Sequence, residues 1–202
     1  LRDNQHRPGL ESMVSGRLAE TYGNDVTLLA FTGTADDFAG KAFEKLNKGW
    51  PQLLKDASGS HKVDVSDHTG GTPAAVNWEG LFSAMVEQLP DVYKGDKTVF
   101  LMSRADAELY QRQIGQMVGG LGHLLSKQNL TYLGYEIVSL NEMPRGHVIF
   151  TPLPNLVYGV NTSMERYREY SGEERCIKYT FDSSFDFQVA VDDAAVIAWD
   201  KP

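Results

Sequence analysis

The sequence has little cysteine, no long apolar run and no cluster of basic residues. Its 202 residues include one cysteine, Cys176, so no disulfide can form within the chain. No stretch approaches the roughly 20 apolar residues that span a bilayer, and the first residues lack a signal-peptide pattern. The 19 basic and 27 acidic residues give a formal charge of −8, without a run of five Lys or Arg. These absences disfavour a membrane partner and direct wrapping of nucleic acid.

Motifs for phosphate binding and nucleophilic catalysis are missing as well. Gly70-Gly71-Thr72 lacks the lysine of a phosphate-binding loop, because Pro73 and Ala74 follow it. No strand leads into the glycines at 119, 120 and 122, as a dinucleotide fingerprint requires. Cys176 lies on a predicted strand without an adjacent histidine in sequence. We therefore predict no catalytic residue and no cofactor.

One segment holds enough metal-binding side chains to keep an enzyme hypothesis open. The chain from 57 to 73 is rich in Gly and Ser and is predicted to be a loop; it contains His61, Asp64, Asp67 and His68. Their spacing fits neither the helical two-histidine pattern nor a cysteine finger. A small metal-dependent α/β enzyme using this loop is thus the less favoured alternative, and we predict no metal site.

The first half of the chain predicts alternating helices and strands. A helix is expected over 11–24, ended by Gly23-Asn24, followed by a strand over 26–31. A second helix is expected from Asp36 or Asp37 to Trp50, where Pro51 forces a kink or a restart.

Further elements follow with clearer boundaries. Asn77 is expected to cap an amphipathic helix, and an apolar strand over 98–102 leads into Ser103, the predicted start of another helix. The glycines at 115–122 disfavour a helix, and one strand is expected over 132–140.

The last third, 147–199, alternates apolar and polar residues between turns and predicts a β-meander. Phe185, Phe187, Val189 and Val191 would share one face of a strand, because successive side chains point to opposite faces. We find no catalytic cluster in this segment, which favours a structural protein.

A charged ribbon interrupts this meander. It comprises Glu165, Arg166, Arg168, Glu169, Glu173, Glu174 and Arg175, interleaved with Tyr167 and Tyr170. Such charges can simply keep an exposed hairpin soluble. Arg and Tyr are also enriched where proteins meet, and mixed signs suit pairing with a copy of the same chain. We predict that these residues are candidate subunit contacts.

In their order along the chain, several segments resemble the major capsid proteins of tailed bacteriophages and prophages. The segments are RLAETYGNDVTLLAFTGT, LNKGWPQLLKDA, WEGLFSAMVEQLPDVY, VFLMSRADAELY, TYLGYEIVSLNEMP, HVIFTPLPNLVYGV and FQVAVDDAAVIAW. The likeness covers nearly the whole chain by order and local character, without a unique signature motif. The first of these segments is similar to the long spine helix of that family and the strand after it.

The resemblance implies an α+β fold, the tailed-phage major capsid shell fold, with two lobes. A mixed α/β axial domain is expected over 33–151. An elongated peripheral domain of a helix and antiparallel strands is expected over 1–32 and 152–202. The family's N-terminal arm and long hairpin do not precede Leu1, so we expect a truncated or processed form. The lysine of the family's isopeptide bond lies on that hairpin, so no cross-link is inferred.

The implied function is that of a coat protein, not an enzyme. Its expected partners are copies of itself, in pentamers and hexamers of an icosahedral shell, and also a scaffolding protein and a portal. DNA would be enclosed without sequence-specific binding. The expected location is the virion, assembled in the cytoplasm of the host bacterium. An encapsulin nanocompartment shell protein, which looks to share the fold, is the closest alternative function.

Overall fold

A computed structural model describes residues 9–35, 43–70, 75–116, 130–174 and 176–200. The helices are α1 (Leu10–Thr32), α2 (Trp50–Asp56), α3 (Trp78–Gln88) and α4 (Arg104–Gln116). The strands are β1 (His61–Asp64), β2 (Thr69–Gly70), β3 (Ala75–Val76), β4 (Thr98–Ser103), β5 (Thr131–Tyr132), β6 (Tyr135–Leu140), β7 (Val148–Pro152), β8 (Leu156–Ser171), β9 (Cys176–Val189) and β10 (Val196–Trp199). Within these ranges no helix is long and apolar enough to cross a membrane.

A mixed six-stranded sheet forms the centre of the molecule, in the order β1-β10-β7-β4-β6-β5. β1 runs parallel to β10 and β4 runs parallel to β6, whereas the other neighbouring pairs are antiparallel. Three of the four inner strands, β4, β7 and β10, are buried on both faces, which explains their nearly continuous apolar sequences. β2 and β3 form a separate two-stranded pair.

Helices cover both faces of this sheet and create two apolar cores. On one face α3 and α4 pack over Phe100, Phe150 and Val196, and the Phe100 and Phe150 rings stack with centroids 4.2 Å apart. On the other face the end of α1, together with α2 and the base of β9, packs over Ile149 and Ile197. Successive side chains of a strand point to opposite faces of the sheet. Adjacent residues of one strand therefore pack into different cores.

Several predicted boundaries are confirmed. α3 begins after Asn77, whose side-chain oxygen accepts a hydrogen bond from the Gly80 N–H. β4 leads directly into α4, and the Ser103 hydroxyl accepts the Asp106 N–H at that junction. Pro51 occupies the first turn of α2, so the predicted restart of the helix at Trp50 is correct.

The prediction that Gly23-Asn24 ends the first helix is wrong. α1 continues to Thr32, and the expected strand over 26–31 is its last two turns. Leu29, Ala30 and Phe31 are buried there against the central sheet. This tertiary packing outweighs the low helix propensity of glycine, which amounts to roughly 1 kcal/mol.

The predicted loop and meander are also corrected. The chain at 61–64 is strand β1, which pairs with β10, and Val63 and Val65 are buried in a core. The C-terminal segment is not one meander: β7 and β10 belong to the central sheet, whereas β8 and β9 form a separate long hairpin. Local alternation identified the strands but carried no information about which partners they pair with.

Three smaller predictions are corrected in part, and some of the residues they concern lie outside the described ranges. The strand expected over 132–140 is a hairpin, β5 and β6, which turns at Leu133-Gly134 with positive φ at both residues. The expected helix up to Trp50 is replaced at Phe43–Lys45 by a 3-10 turn, while Asp36 and Asp37 lie outside the described residues. Gly115 is part of α4, and the remaining glycines of 115–122 also lie outside them.

Candidate assembly surface

The β8–β9 hairpin is attached to the body of the molecule at its base. Trp50, the first residue of α2, donates its indole N–H to the carbonyl oxygens of Val157 and Gln188, each 3.2 Å away. One side chain therefore contacts both strands of the hairpin. Asn47 adds a second link, because its side-chain amide donates to Asp186 Oδ1 at 3.0 Å.

Asn155 closes the hairpin at the point where β8 begins. Its buried side chain donates to Thr151 Oγ1 at 3.0 Å and to the Val191 carbonyl at 2.9 Å, and it accepts the Val191 N–H at 2.8 Å. Its backbone carbonyl also accepts the Ala190 N–H. The chain entering the hairpin is thereby joined to the chain leaving it.

Aromatic rings continue the contact from the base toward the middle of the hairpin. Tyr158 stacks on Phe187 with centroids 5.7 Å apart, and Phe187 meets Trp50 edge to face. Tyr22 of α1 lies edge to face against Phe185. Exposed Asp186 and Gln188 alternate with these rings, so the predicted alternation is confirmed for Phe185, Phe187 and Val189. Val191 lies beyond the end of β9 and is exposed, so its predicted place on the same face is wrong.

Beyond these rings the hairpin becomes irregular and then exposed. Its register shifts twice, between Val160 and Thr162 and between Thr162 and Glu165. From 165 onward the pairing is regular again, Glu165 lying opposite Asp182 and Ser171 opposite Cys176. The predicted contact residues of this distal part are exposed: Glu165, Arg166, Arg168, Glu169, Glu173 and Glu174. Arg175 lies outside the described residues.

The strand register separates the charges of this distal hairpin by sign. Side chains directly opposite one another in the register share a face. Arg166 and Arg168 share one face with Tyr179 and Phe181, and Glu165 and Glu169 share the other with Asp182 and Lys178. One face is therefore basic and aromatic, whereas the other is mainly acidic.

The basic face is the one that contacts α1. Arg166 donates from Nη1 to the Ser15 hydroxyl at 2.8 Å and lies over the Tyr179 ring. On the acidic face Tyr167 donates to Glu165 at 2.6 Å, and this hydrogen bond raises the pKa of Tyr167. At the hairpin end Lys178 and Glu174 form an exposed ion pair of 3.1 Å, of a kind worth at most about 1 kcal/mol.

The His- and Asp-containing segment shows a different arrangement from that of a metal site. His61 Nε2 lies 3.1 Å from Asp193 Oδ1, and Asp64 accepts hydrogen bonds from the backbone and hydroxyl of Ser66. In the ranges that the structure describes, no three His, Cys, Asp or Glu side chains are placed to hold one metal ion. The donor set therefore does not support the metal-dependent enzyme hypothesis.

The anchoring residues were missed by sequence reasoning. The sequence analysis places Trp50 only at the end of a predicted helix and predicts no role for Asn47 or Asn155. One local signal is present: Trp50 precedes Pro51 at a helix start, and a tryptophan indole N–H usually finds a hydrogen-bond acceptor when it is buried. Its acceptors lie more than 100 residues away in sequence, and no local pattern identifies them.

No family model matches the sequence, and no curated protein matches it. Solved structures do match. A chain from "Capsid of empty GTA particle computed with C5 symmetry" is 13% identical, with a TM-score of 0.74, over 100% of this chain and 70% of that chain. A chain of the satellite phage P4 procapsid is 12% identical, with a TM-score of 0.68, over 97% and 69%.

A third solved structure matches, again at low sequence identity. A capsid chain of cyanophage A-1(L) is 15% identical, with a TM-score of 0.59, over 93% of this chain and 68% of that chain. Identities this low establish a common architecture and leave function to be argued separately. The chain has the α+β fold of these phage and GTA-particle capsid proteins.

Proposed function

We propose that the protein is a structural major capsid protein of a tailed phage or prophage, which self-assembles into an icosahedral shell around DNA. The observation that carries the proposal is the match of the entire described architecture, at a TM-score of 0.74, to a chain from a capsid. The proposal includes the absence of an enzymatic role. It places the protein in the virion, after assembly in the cytoplasm of the host bacterium.

The two-lobe division belongs to this proposal. Residues 33–151 would form the axial domain, and 1–32 with 152–202 the peripheral domain. We propose one revision of these bounds: because β10 pairs with β1 and β7 in the central sheet, residues 196–199 would belong to the axial domain although they follow the hairpin. The peripheral domain would then consist mainly of α1 and the β8–β9 hairpin.

Copies of the chain are the proposed partners of the distal hairpin. The basic face carrying Arg168 and the acidic face carrying Glu169 are complementary, so the two faces of neighbouring copies can pair. A heterologous contact of this kind repeats around an axis and can close a ring. Pentamers and hexamers would follow from such contacts, with a scaffolding protein and a portal as further partners. DNA would be enclosed without sequence-specific binding.

Charge reversal tests this surface. We expect Arg168→Glu to raise the protein concentration needed for assembly by roughly tenfold, the equivalent of one contact weakened by about 1.4 kcal/mol. The melting temperature should stay unchanged, because Arg168 is exposed. Lys97→Glu, an exposed basic residue outside the hairpin, is the matched control. Assembly is measured by light scattering and electron microscopy.

A mixing experiment tests whether the basic and acidic faces of two copies pair directly. Chains carrying Arg168→Glu and chains carrying Glu169→Arg should each assemble poorly alone, whereas an equal mixture should recover part of the lost assembly. Equal assembly of both variants and wild type would reject the hairpin contact while leaving the capsid proposal intact. Wild-type protein that stays monomeric at high concentration, with or without scaffolding protein, would reject the capsid proposal itself.

A further inference from the structure

A lysine and a histidine meet at the edge of the central sheet. His147 immediately precedes β7, and its Nε2 lies 2.8 Å from Lys55 Nζ near the end of α2. Its Nδ1 lies 3.1 Å from the carbonyl oxygen of Arg145. Because a carbonyl can only accept, Nδ1 carries the proton and Nε2 presents its lone pair to the lysine. The contact therefore requires a neutral imidazole.

The surroundings of this pair are crowded and partly buried. Around Lys55, Asp56 is the adjacent carboxylate, Lys62 of β1 donates to the Lys55 carbonyl at 2.7 Å, and the Trp199 ring lies 5.6 Å from Nζ. Around His147, the charged groups are Arg145 on the preceding turn and Asp106 at the start of α4.

Asp106 cannot readily move toward a charged imidazole. It is buried, and its Oδ2 already accepts the Ser103 hydroxyl and the Gly146 N–H, both at 2.8 Å.

Helix α2, which carries Lys55 near its end, contacts the hairpin base through its first residue. Trp50 begins α2 and donates to both strands of the hairpin base, whereas Lys55 is in its last turn. Leu54, between them, is fully buried in the core beneath the sheet. The Lys55 end and the Trp50 anchor therefore belong to one helix of seven residues.

We propose that the Lys55–His147 contact is an acid-sensitive latch, which holds α2 against the sheet and thereby fixes the base of the β8–β9 hairpin. Protonation of His147 at Nε2 removes the lone pair that accepts from Lys55. It also places two positive charges where a hydrogen bond had been. The end of α2 then separates from the turn before β7, and the anchor at Trp50 loosens.

The pKa shifts give the sign of the pH dependence of stability and the pH range in which it occurs. Burial lowers the pKa of His147, and Lys55 lowers it further, while the Arg145 carbonyl and Asp106 oppose this shift. Burial also lowers the pKa of Lys55. A histidine with a lowered pKa in the folded state binds fewer protons than in the unfolded chain. The free energy of unfolding therefore falls as the pH decreases below 6.5, the ordinary value, toward the lowered one.

Hydrogen exchange measured by NMR on the full chain tests the latch. The readouts are the Trp50 indole N–H and the Ala57 backbone N–H, which donates to the Leu53 carbonyl at the end of α2. After correction for intrinsic exchange, we expect protection of both to fall roughly tenfold between pH 7.5 and 5.5, the equivalent of one lost charge-assisted hydrogen bond.

Three variants separate the latch from general acid sensitivity. His147→Gln keeps an acceptor that cannot be protonated in this range and should abolish the acid-dependent loss. Lys55→Met removes the repelled charge and should reduce the acid-dependent loss without abolishing it, because burial still lowers the pKa of His147; this preserves the test if the glutamine variant folds poorly. His61→Gln, which alters a contact with Asp193 that involves neither Lys55 nor His147, should respond to acid like wild type. Equal acid-dependent loss in His147→Gln and wild type, or no loss in wild type, would overturn the proposal.

Discussion

Single polar side chains join segments of this protein that lie far apart in sequence. Asn155 connects the two ends of the hairpin, Trp50 connects α2 to the hairpin strands, and Ser103 with Asp106 connects β4, α4 and the turn at Gly146. The buried groups among these, Asn155, Ser103 and Asp106, are each worth more than an exposed ion pair, because their loss leaves partners that water reaches poorly. Point substitutions at these residues should therefore have large effects without touching the apolar cores.

Replacement of Asn155 tests this expectation at the residue scale. Asn155→Ala removes three side-chain hydrogen bonds and leaves the Val191 N–H without its acceptor. We expect the free energy of unfolding to fall by about 2–4 kcal/mol. Urea denaturation followed by circular dichroism measures the change. Asn141→Ala, at an exposed position, should alter stability by less than about 0.5 kcal/mol. Equal effects of the two variants would argue against the buried network.

At the scale of single elements, α1 shows how packing overrides a local stop signal. Gly23 lies in the helix interior with open space around its Cα, whereas Gly33, the residue after the helix, lies tightly against the backbone of Asn47 and Gly49. The two glycines are therefore not equivalent. One is only a weak helix former, and the other permits the close approach of two chain segments.

Alanine at the two positions should have opposite consequences. Gly23→Ala should raise the free energy of unfolding by about 0.5–1 kcal/mol, because alanine favours the helix and its Cβ meets nothing within 4 Å. Gly33→Ala should lower it, because its Cβ would overlap backbone atoms that cannot yield easily. Thermal unfolding of both variants is the measurement. Destabilisation by Gly23→Ala would instead indicate that the helix ends there, as its sequence first suggests.

At the scale of the whole molecule, the central sheet is assembled from four separate parts of the chain. They are β1, β4, the consecutive strands β5 to β7, and β10, which returns to the sheet only after the hairpin has left it. The distal hairpin, in contrast, has both strand edges outside the central sheet. Isolated two-stranded hairpins are marginally stable in water, so this part should open more easily than the sheet.

Native-state hydrogen exchange should distinguish the central sheet from the distal hairpin. We expect backbone N–H groups of β10 and β4 to exchange only on global unfolding. Those of 165–171 and 178–182 should exchange at least about a hundredfold faster, through local opening. Assembly into a shell should slow exchange in the hairpin more than in the sheet. Exchange of β10 at the rate of the distal hairpin would contradict its placement between β1 and β7.

The sequence alone determined the elements whose signals are local. Asn77 caps α3, Ser103 starts α4, and the alternation around Phe187 identifies a strand, because each signal depends on neighbours within a few residues. The order of these segments also pointed to the α+β capsid fold. The exposed ribbon of charges at 165–174 could be listed from sequence, and its role as a contact surface stays a prediction.

Only the tertiary structure decided how these parts combine. It extended α1 through Gly23, paired His61–Asp64 with Val196–Trp199, and divided the C-terminal segment between the central sheet and a separate hairpin. It also sorted Arg168 and Glu169 onto opposite faces and brought Lys55 to His147. These outcomes depend on contacts between residues far apart in the chain. Burial and strand pairing select such contacts from many that satisfy the same local pattern.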